Sequence, residues 1–421
     1  MRRRIARLAL IITLMFAIHP RAAAYGVLTH HQLIDQAWET LIVPVLLNRF
    51  PSLTPEQLKQ AHAYAYGGSV IQDFGYYPFA NEFFSNLTHY VRSGDFVESL
   101  FKHAHSANEL AFAIGALSHY VGDSIGHSRA TNPSVALAFP KLRAKYGSSV
   151  SFAQGKNQHS QVEWAFDANQ AAKRRLAPSA YLHEIGLDVP SPQLVAAFYQ
   201  TYGIPLREIV GLQRTAIKTF RFGARSFLPT LTYAEALLHH RRFPADAPGP
   251  ELDLYEQHIA QLAREAGWDR YRRNPGIRVH LLAGLIAIMP KIGVLRMLDI
   301  KGPTTETERM YIASVNLSTG ALALSLRRLL TQTGAGLTDR DLDTGEPVVP
   351  GGYPLTDQTY AKLLARITKT PTRQIPAGLK QDILAYYADP TAPISTKKNP
   401  KAWAAVQQQL QVLAAMPTIP E

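Results

Sequence analysis

The segment HYVGDSIGH, residues 119–127, places His119, Asp123 and His127 four residues apart. Residues four apart on an α-helix project from one face, and imidazole and carboxylate groups are ligands of divalent cations. A buried carboxylate is costly unless it is paired or binds a cation. The stripe is roughly 12 Å long, which is too long for one ion. We therefore predict two neighbouring ions with Asp123 between them.

Two further segments offer ligands of the same kind. HSQVE, residues 159–163, holds His159 and Glu163 at a spacing that can chelate one ion from a single helix face, although such pairs also occur on solvated helices. Asp73 in SVIQDFGYYPF and His89 in NLTHYVRSGDF are unremarkable alone. Each becomes a candidate ligand only beside the first two motifs.

The N-terminus has the pattern of a cleaved signal peptide. An arginine-rich start is followed by the eleven-residue apolar stretch LALIITLMFAI and by the small residues of RAAA. That stretch is short for a membrane span, although an uncleaved anchor is the alternative. Cleavage near Ala24 predicts a secreted or periplasmic protein.

Composition restricts the class of protein. Of the 421 residues, 46% are hydrophobic and 18% are charged, which argues against disorder. With no cysteine and fifteen histidines, the chain depends on its core or on metal bound through nitrogen and oxygen ligands. Without the five arginines of residues 1–24, the formal charge of +12 becomes +7. This charge suits anionic membranes or phosphate-bearing substrates, and equally a merely soluble basic protein.

Apolar residues recur at helical spacing through most of the chain, so the predicted fold class is all-α. Thr54 and Ser106 are predicted N-caps, the latter with Glu109 in a capping box, and Gly115, Gly122 and Gly126 leave room for another backbone. The predicted helices are 33–50, 54–68, 106–127, 157–176, 194–202, 233–241, 255–268, 307–332, 356–369 and 399–416.

Two remaining segments need separate predictions. The segment 334–354 is rich in glycine, proline and aspartate and predicts a loop or linker. Its acidic run DRDLDTGE, residues 339–346, lacks the glycine and the final glutamate of a calcium loop and predicts a turn. The apolar segment from His280 is broken by Pro290 and Lys291, which favours a buried helix pair over a membrane span.

The order of the candidate ligands resembles the zinc-dependent phospholipase C family, whose wider superfamily includes secreted single-strand nucleases with 3′-nucleotidase activity. The family pattern begins at a mature N-terminal aromatic residue that binds zinc through its amine and carbonyl. The motifs span residues 25 to about 167. The matching positions are Tyr25, His30, Asp73, His89, His119, Asp123, His127, His159 and Glu163.

The resemblance implies an all-helical bundle with three zinc ions. It assigns His89, His119, Asp73 and Asp123 to one ion, Tyr25, His30 and Asp123 to its close partner, and His127, His159 and Glu163 to the third. Asp73 is also the candidate catalytic residue that orients or deprotonates the attacking water. The chain departs from the family in starting with tyrosine rather than tryptophan, and in the short gap between Asp123 and His127.

The implied activity is hydrolysis of the phosphodiester bond of phospholipids to diacylglycerol and a phosphorylated head group. We expect transient contact with a membrane surface and no protein partner. The alternatives are a nuclease or 3′-nucleotidase acting on nucleic acid, and a non-catalytic zinc-binding protein. Residues 1–24 form the predicted signal peptide, 25–333 the phosphodiesterase domain, and 334–421 a linker and helical C-terminal extension.

The aromatic residues beside Asp73 leave the substrate open. Phe74, Tyr76, Tyr77 and Phe79 could hold a choline group by cation–π contact or stack a nucleobase. They could equally be packing residues at a helix turn.

Overall fold

The computed structural model describes residues 25–272, 277–288, 300–332 and 334–420. The predicted signal peptide lies outside these residues. Helices dominate, which confirms the all-α prediction, and the strands of the described residues form a single parallel pair, β1 (Ile375–Pro376) and β2 (Thr418–Ile419).

The α-helices of the described residues are numbered here in chain order. Up to residue 146 they are α1 (Val27–Ala37), α2 (Val43–Arg49), α3 (Pro55–Gly68), α4 (Glu82–Tyr90), α5 (Ser93–Lys102), α6 (Ala107–Gly126), α7 (Asn132–Ala138) and α8 (Pro140–Tyr146). After it come α9 (Lys156–Ala172), α10 (Ser179–Ile185), α11 (Ser191–Tyr202), α12 (Gln213–Phe222), α13 (Leu228–His239), α14 (Pro250–Glu265), α15 (Ile277–Ile288), α16 (Thr305–Leu329), α17 (Pro354–Ile367), α18 (Ala377–Tyr386) and α19 (Pro400–Ala415).

Helix α6 is the central element, and α3 packs along it backbone to backbone. A Cβ atom at Gly68 would lie 2.0 Å from the carbonyl oxygen of Phe112, and one at Gly115 would lie 2.2 Å from that of Ala65. Only glycine permits this approach. The close contact fixes α6, and with it the ligand stripe, against the N-terminal helices.

Several predicted boundaries agree with the structure. Thr54 and Gln57 form a capping box at α3, and the backbone N–H of Glu109 donates to Ser106 Oγ at the start of α6. The Glu109 carboxylate, however, accepts from the N–H of His105 rather than that of Ser106.

Other parts of the helix prediction differ from the structure in the segments that carry His30 and His89. The predicted helix 33–50 starts six residues earlier, at Val27, and passes through a π-helical segment (Trp38–Ile42) into α2. Helices α4 and α5 lie in a segment for which no helix was predicted. The Asn81 side chain caps α4 by accepting from the N–H of Phe83.

The C-terminal residues pack into the same hydrophobic cluster as the N-terminal helices, through buried residues that include Leu342, Tyr360 and Leu363. Helix α17 contacts α4. The described part of the segment from His280 belongs to α15, and its second half lies outside the described residues. Within the described residues, no helix is both long and apolar enough to cross a membrane.

Replacing Gly115 by alanine tests the packing of α3 on α6. Alanine favours a helix by about 1 kcal/mol over glycine, yet we expect Gly115→Ala to lower the unfolding midpoint because its Cβ would clash with the backbone of α3. Gly320→Ala is the matched control, since a Cβ atom at Gly320 would have no heavy atom of a neighbouring described residue within 4 Å. Thermal unfolding should show a loss for the first variant and no loss for the second. Equal midpoints would contradict the packing argument.

Candidate metal centre

The structure brings the eight predicted side-chain ligands into three buried clusters. Cluster A is His30, His119 and Asp123, cluster B is Asp73, His89 and His119, and cluster C is His127, His159 and Glu163. Within each cluster the potential ligand atoms lie within 4.8 Å of one another. Zinc binding by these groups stays a prediction. The resemblance assigns Asp123 to two ions and His119 to one, whereas in the structure His119 belongs to clusters A and B.

The Asp123 carboxylate lies between clusters A and B. Its Oδ1 is 3.2 Å from His30 Nε2, whereas its Oδ2 is 3.1 Å from His119 Nε2 and 3.3 Å from His89 Nε2. The two oxygens therefore face different imidazoles. This arrangement suits a carboxylate that bridges two cations.

Cluster C comes from helix α9 and from the π-helical segment that follows α6. His127 is the first residue of a π-helical segment (His127–Thr131), yet its N–H still donates to the carbonyl of Asp123, so the spacing of the stripe is regular. Glu163 Oε1 lies 3.8 Å from His127 Nε2 and 3.6 Å from His159 Nδ1. Helix α9 supplies both His159 and Glu163.

Four of the imidazoles are held through their second nitrogen. In each case that nitrogen donates to a backbone carbonyl, which fixes the ring and leaves the other nitrogen directed into a cluster. This is the usual support of metal-binding histidines. The bonds are His89 Nδ1 to Ser85 O (2.8 Å), His119 Nδ1 to Ser69 O (3.0 Å), His127 Nδ1 to Leu342 O (3.0 Å) and His159 Nε2 to Val150 O (2.6 Å).

The electrostatics of the site favour bound cations. Burial raises the pKa of Asp73 well above its usual range, and the carboxylates of Asp123, Glu163 and Asp343 raise it further. A cation beside these groups acts in the opposite direction. Burial also lowers the pKa of His119 to about 4, so this imidazole is neutral at pH 7, the form that binds metal.

The pKa of Asp123 is shifted in the opposite direction to that of Asp73. Burial raises its pKa, but the surrounding histidines outweigh burial and hold the pKa well below the usual range. Asp123 is therefore ionised at neutral pH.

Buried polar atoms without hydrogen-bond partners indicate whether the ligand atoms of the three clusters fit zinc. Within the described part of the chain, no hydrogen-bond partner is found for five buried atoms, which are both ring nitrogens of His30, Asp73 Oδ1, His127 Nε2 and His159 Nδ1. Unpartnered buried polar atoms are rare, and nitrogen and oxygen donors at these separations suit zinc. The residues therefore fit the group that the resemblance implies.

The N-terminus of helix α1, which carries His30, is capped by a side chain that is distant in the sequence. Asp167 on α9 accepts from the backbone N–H groups of Leu28 and Thr29, at 3.0 and 3.2 Å, and from the Thr29 hydroxyl. A Cβ at Gly26 would lie 2.1 Å from this carboxylate. A side chain at Gly26 would therefore exclude the cap that positions His30.

Tyr25 lies beside His30 at the start of the described chain. Its ring is fully buried, lies edge to face with His30 at 5.8 Å, and donates through its hydroxyl to Ser314 on α16. The N-terminal segment is thus anchored at the site by the Tyr25 side chain and by Asp167. Zinc binding by the Tyr25 backbone stays a prediction.

The aromatic residues beside Asp73 divide into three groups. Phe74 and Tyr77 pack edge to face against Phe220 and belong to the core. The Tyr76 ring centroid is 6.4 Å from that of His89, and its buried hydroxyl has no hydrogen-bond partner. Phe79 is 51% exposed. The packing interpretation therefore holds for two of the four, and Tyr76 is the one beside the clusters.

Two residues at the site were not found from the sequence. Asp167 looked like any polar residue of a predicted helix, and Asp343 belonged to a predicted turn. Asp343 Oδ1 lies 3.9 Å from His127 Nε2, and the side chain is fully buried. Asp167 follows Glu163 by four residues on α9, so the spacing of His159, Glu163 and Asp167 was a signal that could have found it. Asp343 comes from a distant part of the chain, and no local spacing indicates it.

Comparison with known proteins supports the resemblance. Residues 29–209 match the family model described as zinc dependent phospholipase C. Comparisons with curated proteins and with solved structures gave no match. The matched segment contains all eight side chains of the three clusters, while Asp343 lies outside it.

Removing the remote cap of α1 should destabilise the N-terminal helix. We expect Asp167→Ala to lower the free energy of unfolding by about 1–2 kcal/mol, the usual effect of losing an N-cap, and Asp167→Asn to lose less because it keeps an acceptor. Chemical denaturation in the presence of chelator measures this apart from metal binding. Asp269→Ala is the control, since that carboxylate is 89% exposed; equal losses in the Asp167→Ala and Asp269→Ala variants would contradict the capping role.

Proposed function

We propose, from the membership of residues 29–209 in the zinc-dependent phospholipase C family, that this protein is a zinc-dependent phospholipase C that hydrolyses phospholipids to diacylglycerol and a phosphorylated head group. The observation that carries the proposal is the set of three buried clusters, two of them joined by the Asp123 carboxylate. Structural zinc sites are closed by four protein ligands, whereas catalytic sites keep a position open for water or substrate.

In this proposal the clusters hold three zinc ions. Zinc bound there would lower the pKa of a water to near neutrality and compensate charge on the phosphoryl oxygens. The histidines and Asp123 fix the geometry, because backbone carbonyls orient four of the five rings. The mechanism then needs a group that positions the water and accepts its proton.

Asp73 is the residue that we assign to that role. It lies on a short 3₁₀-helical turn (Gln72–Tyr76) rather than within an α-helix. Its Oδ1 has no hydrogen-bond partner among the described residues and lies 3.6 Å from His89 Nε2. The Asp73 side chain is 9% exposed, whereas that of Asp123 is fully buried. Asp73 is therefore the carboxylate of clusters A and B that a substrate and its water can reach.

Exposed aromatic residues are consistent with a lipid substrate. Phe79 lies in the loop after Asp73, and Phe222 ends α12; both are among the exposed large apolar residues. The Thr219 hydroxyl of α12 donates to the carbonyl of Pro78, so the two elements are adjacent. Exposed aromatic residues beside the site suit shallow insertion at a lipid surface. The Tyr76 ring is then available to a cationic head group.

The proposal includes export and cleavage after Ala24, so that the mature chain begins at Tyr25. Its support is the signal-like sequence of residues 1–24 and the burial of the Tyr25 ring beside His30. A free α-amine has a pKa near 8 and can bind a cation once it loses its proton. The intact mass of the exported protein tests the cleavage: a mass that includes residues before Tyr25 would refute it.

The activity can be tested directly. The mature, zinc-loaded protein should release phosphocholine from phosphatidylcholine vesicles, and chelator should abolish the release because the clusters supply the catalytic cations. Parallel assays use single-stranded DNA and a 3′-nucleotide. Hydrolysis of only these substrates would replace the lipid proposal by the nuclease alternative. A zinc-loaded protein that cleaves none of them would support the non-catalytic alternative.

The role of Asp73 predicts a specific loss of turnover. General acid–base groups contribute about 10²–10⁴-fold to rates, so we expect Asp73→Asn to reduce kcat at least a hundredfold while the circular dichroism spectrum is unchanged. Asp269→Asn makes the same chemical change at an exposed position and should leave kcat as it was. Full turnover by Asp73→Asn would refute the assignment.

A further inference from the structure

The segment 339–346 contacts two of the candidate ligand residues through its backbone. The N–H of Leu342 donates to the carbonyl of His89 at 3.1 Å, and the carbonyl of Leu342 accepts from His127 Nδ1 at 3.0 Å. One residue of this segment therefore joins an element of cluster B to an element of cluster C. A segment that the sequence predicts as a turn is part of the wall of the metal centre.

The shape of the segment depends on close approach to α6. Gly345 has φ +74° and a Cβ there would lie 2.2 Å from the carbonyl oxygen of Ser124. Asp341 Oδ1 accepts from the N–H groups of Asp343 and Thr344. These contacts hold the residues around Asp343 in one conformation against the stripe of α6.

The two oxygens of the Asp343 carboxylate have different surroundings. Oδ2 accepts from the hydroxyls of Tyr90, at 2.9 Å, and Tyr353, at 2.5 Å. Among the residues that the structure describes, Oδ1 has no hydrogen-bond partner, and neither has His127 Nε2, which lies 3.9 Å from it. At 3.9 Å the two atoms do not form a hydrogen bond with each other. Both side chains are fully buried.

We propose that Asp343 is a fourth protein ligand of the cation held by cluster C, supplied by a segment outside the part of the chain that matches the family. The inference rests on the proposed zinc occupancy of the clusters. A buried carboxylate oxygen without a partner is strongly unfavourable, and a shared cation satisfies both Asp343 Oδ1 and His127 Nε2. The tyrosine pair orients the carboxylate as outer hydrogen bonds orient metal ligands.

His127 Nε2 is the atom through which Asp343 adjoins cluster C. Glu163 Oε1 lies 3.6 Å from His159 Nδ1 and 3.8 Å from His127 Nε2, and Asp343 Oδ1 lies 3.9 Å from the same His127 Nε2. Ligands each about 2.0–2.2 Å from a zinc ion can be separated by these distances. Four protein ligands close a tetrahedral site, so the site at cluster C would hold its ion firmly and leave substrate contact to clusters A and B.

The test compares two carboxylate-to-amide changes in the same segment of the mature full-length chain. Asp343→Asn removes the proposed ligand but keeps an acceptor for the tyrosine hydroxyls. Glu346→Gln makes the same change at an exposed position. Zinc per chain is measured by elemental analysis after dialysis, and zinc affinity by competition with a chromogenic chelator. We expect the wild-type chain and Glu346→Gln to hold three ions, and Asp343→Asn to bind one of them about 10–100-fold more weakly.

A second measurement separates a ligand from a structural residue. In excess chelator, Asp343→Asn should unfold at the same temperature as the wild type or higher, because it removes one of several neighbouring buried carboxylates. In zinc it should unfold at a lower temperature. A loss of stability in chelator with unchanged zinc affinity would overturn the inference in favour of a packing role.

The outcomes also distinguish this inference from the function on which it rests. A wild-type chain that binds no zinc would refute both. A wild-type chain with three ions, and an Asp343→Asn variant with the same three at the same affinity, would refute the role of Asp343 alone.

Discussion

The structure depends on one buried carboxylate, that of Asp123, which faces three imidazoles on three different elements. Isolated in the core, an ionised carboxylate would be strongly destabilising. The surrounding histidines keep its pKa low, and cations would complete the compensation. The elements around α6 are arranged so that His30 from α1 and His89 from α4 reach this group.

Much of the supporting structure serves to hold α6 and its partners at fixed separation. The glycine contacts between α3 and α6 bring two backbones together, and Asp167 fixes the start of α1 from α9. The backbone carbonyls that accept from four imidazoles come from separate elements, including the segment 339–346. Rigid positioning of this kind is what a catalytic or metal-binding site requires.

The C-terminal region is the part whose role changes most between the sequence and the structure. The composition of residues 334–354 predicts a loop or linker, and the acidic run within this segment predicts a turn. In the structure the backbone of Leu342 forms hydrogen bonds with two candidate ligand residues. Asp343 faces cluster C, and one of its carboxylate oxygens accepts hydrogen bonds from two tyrosine hydroxyls. The family match ends at residue 209, so this segment adds to a centre built mainly by the matched part of the chain.

The sequence alone determined the ligand types, their order and the helical class. Spacing placed His119, Asp123 and His127 on one face, because helical geometry relates residues four apart without reference to the rest of the chain. Three features depend on tertiary structure and cannot be predicted from local periodicity. They are the short helix α4 that carries His89, the capping of α1 by Asp167, and the approach of Asp343 to His127. These contacts join residues 138 to 216 positions apart, and only packing of the whole chain brings such residues together.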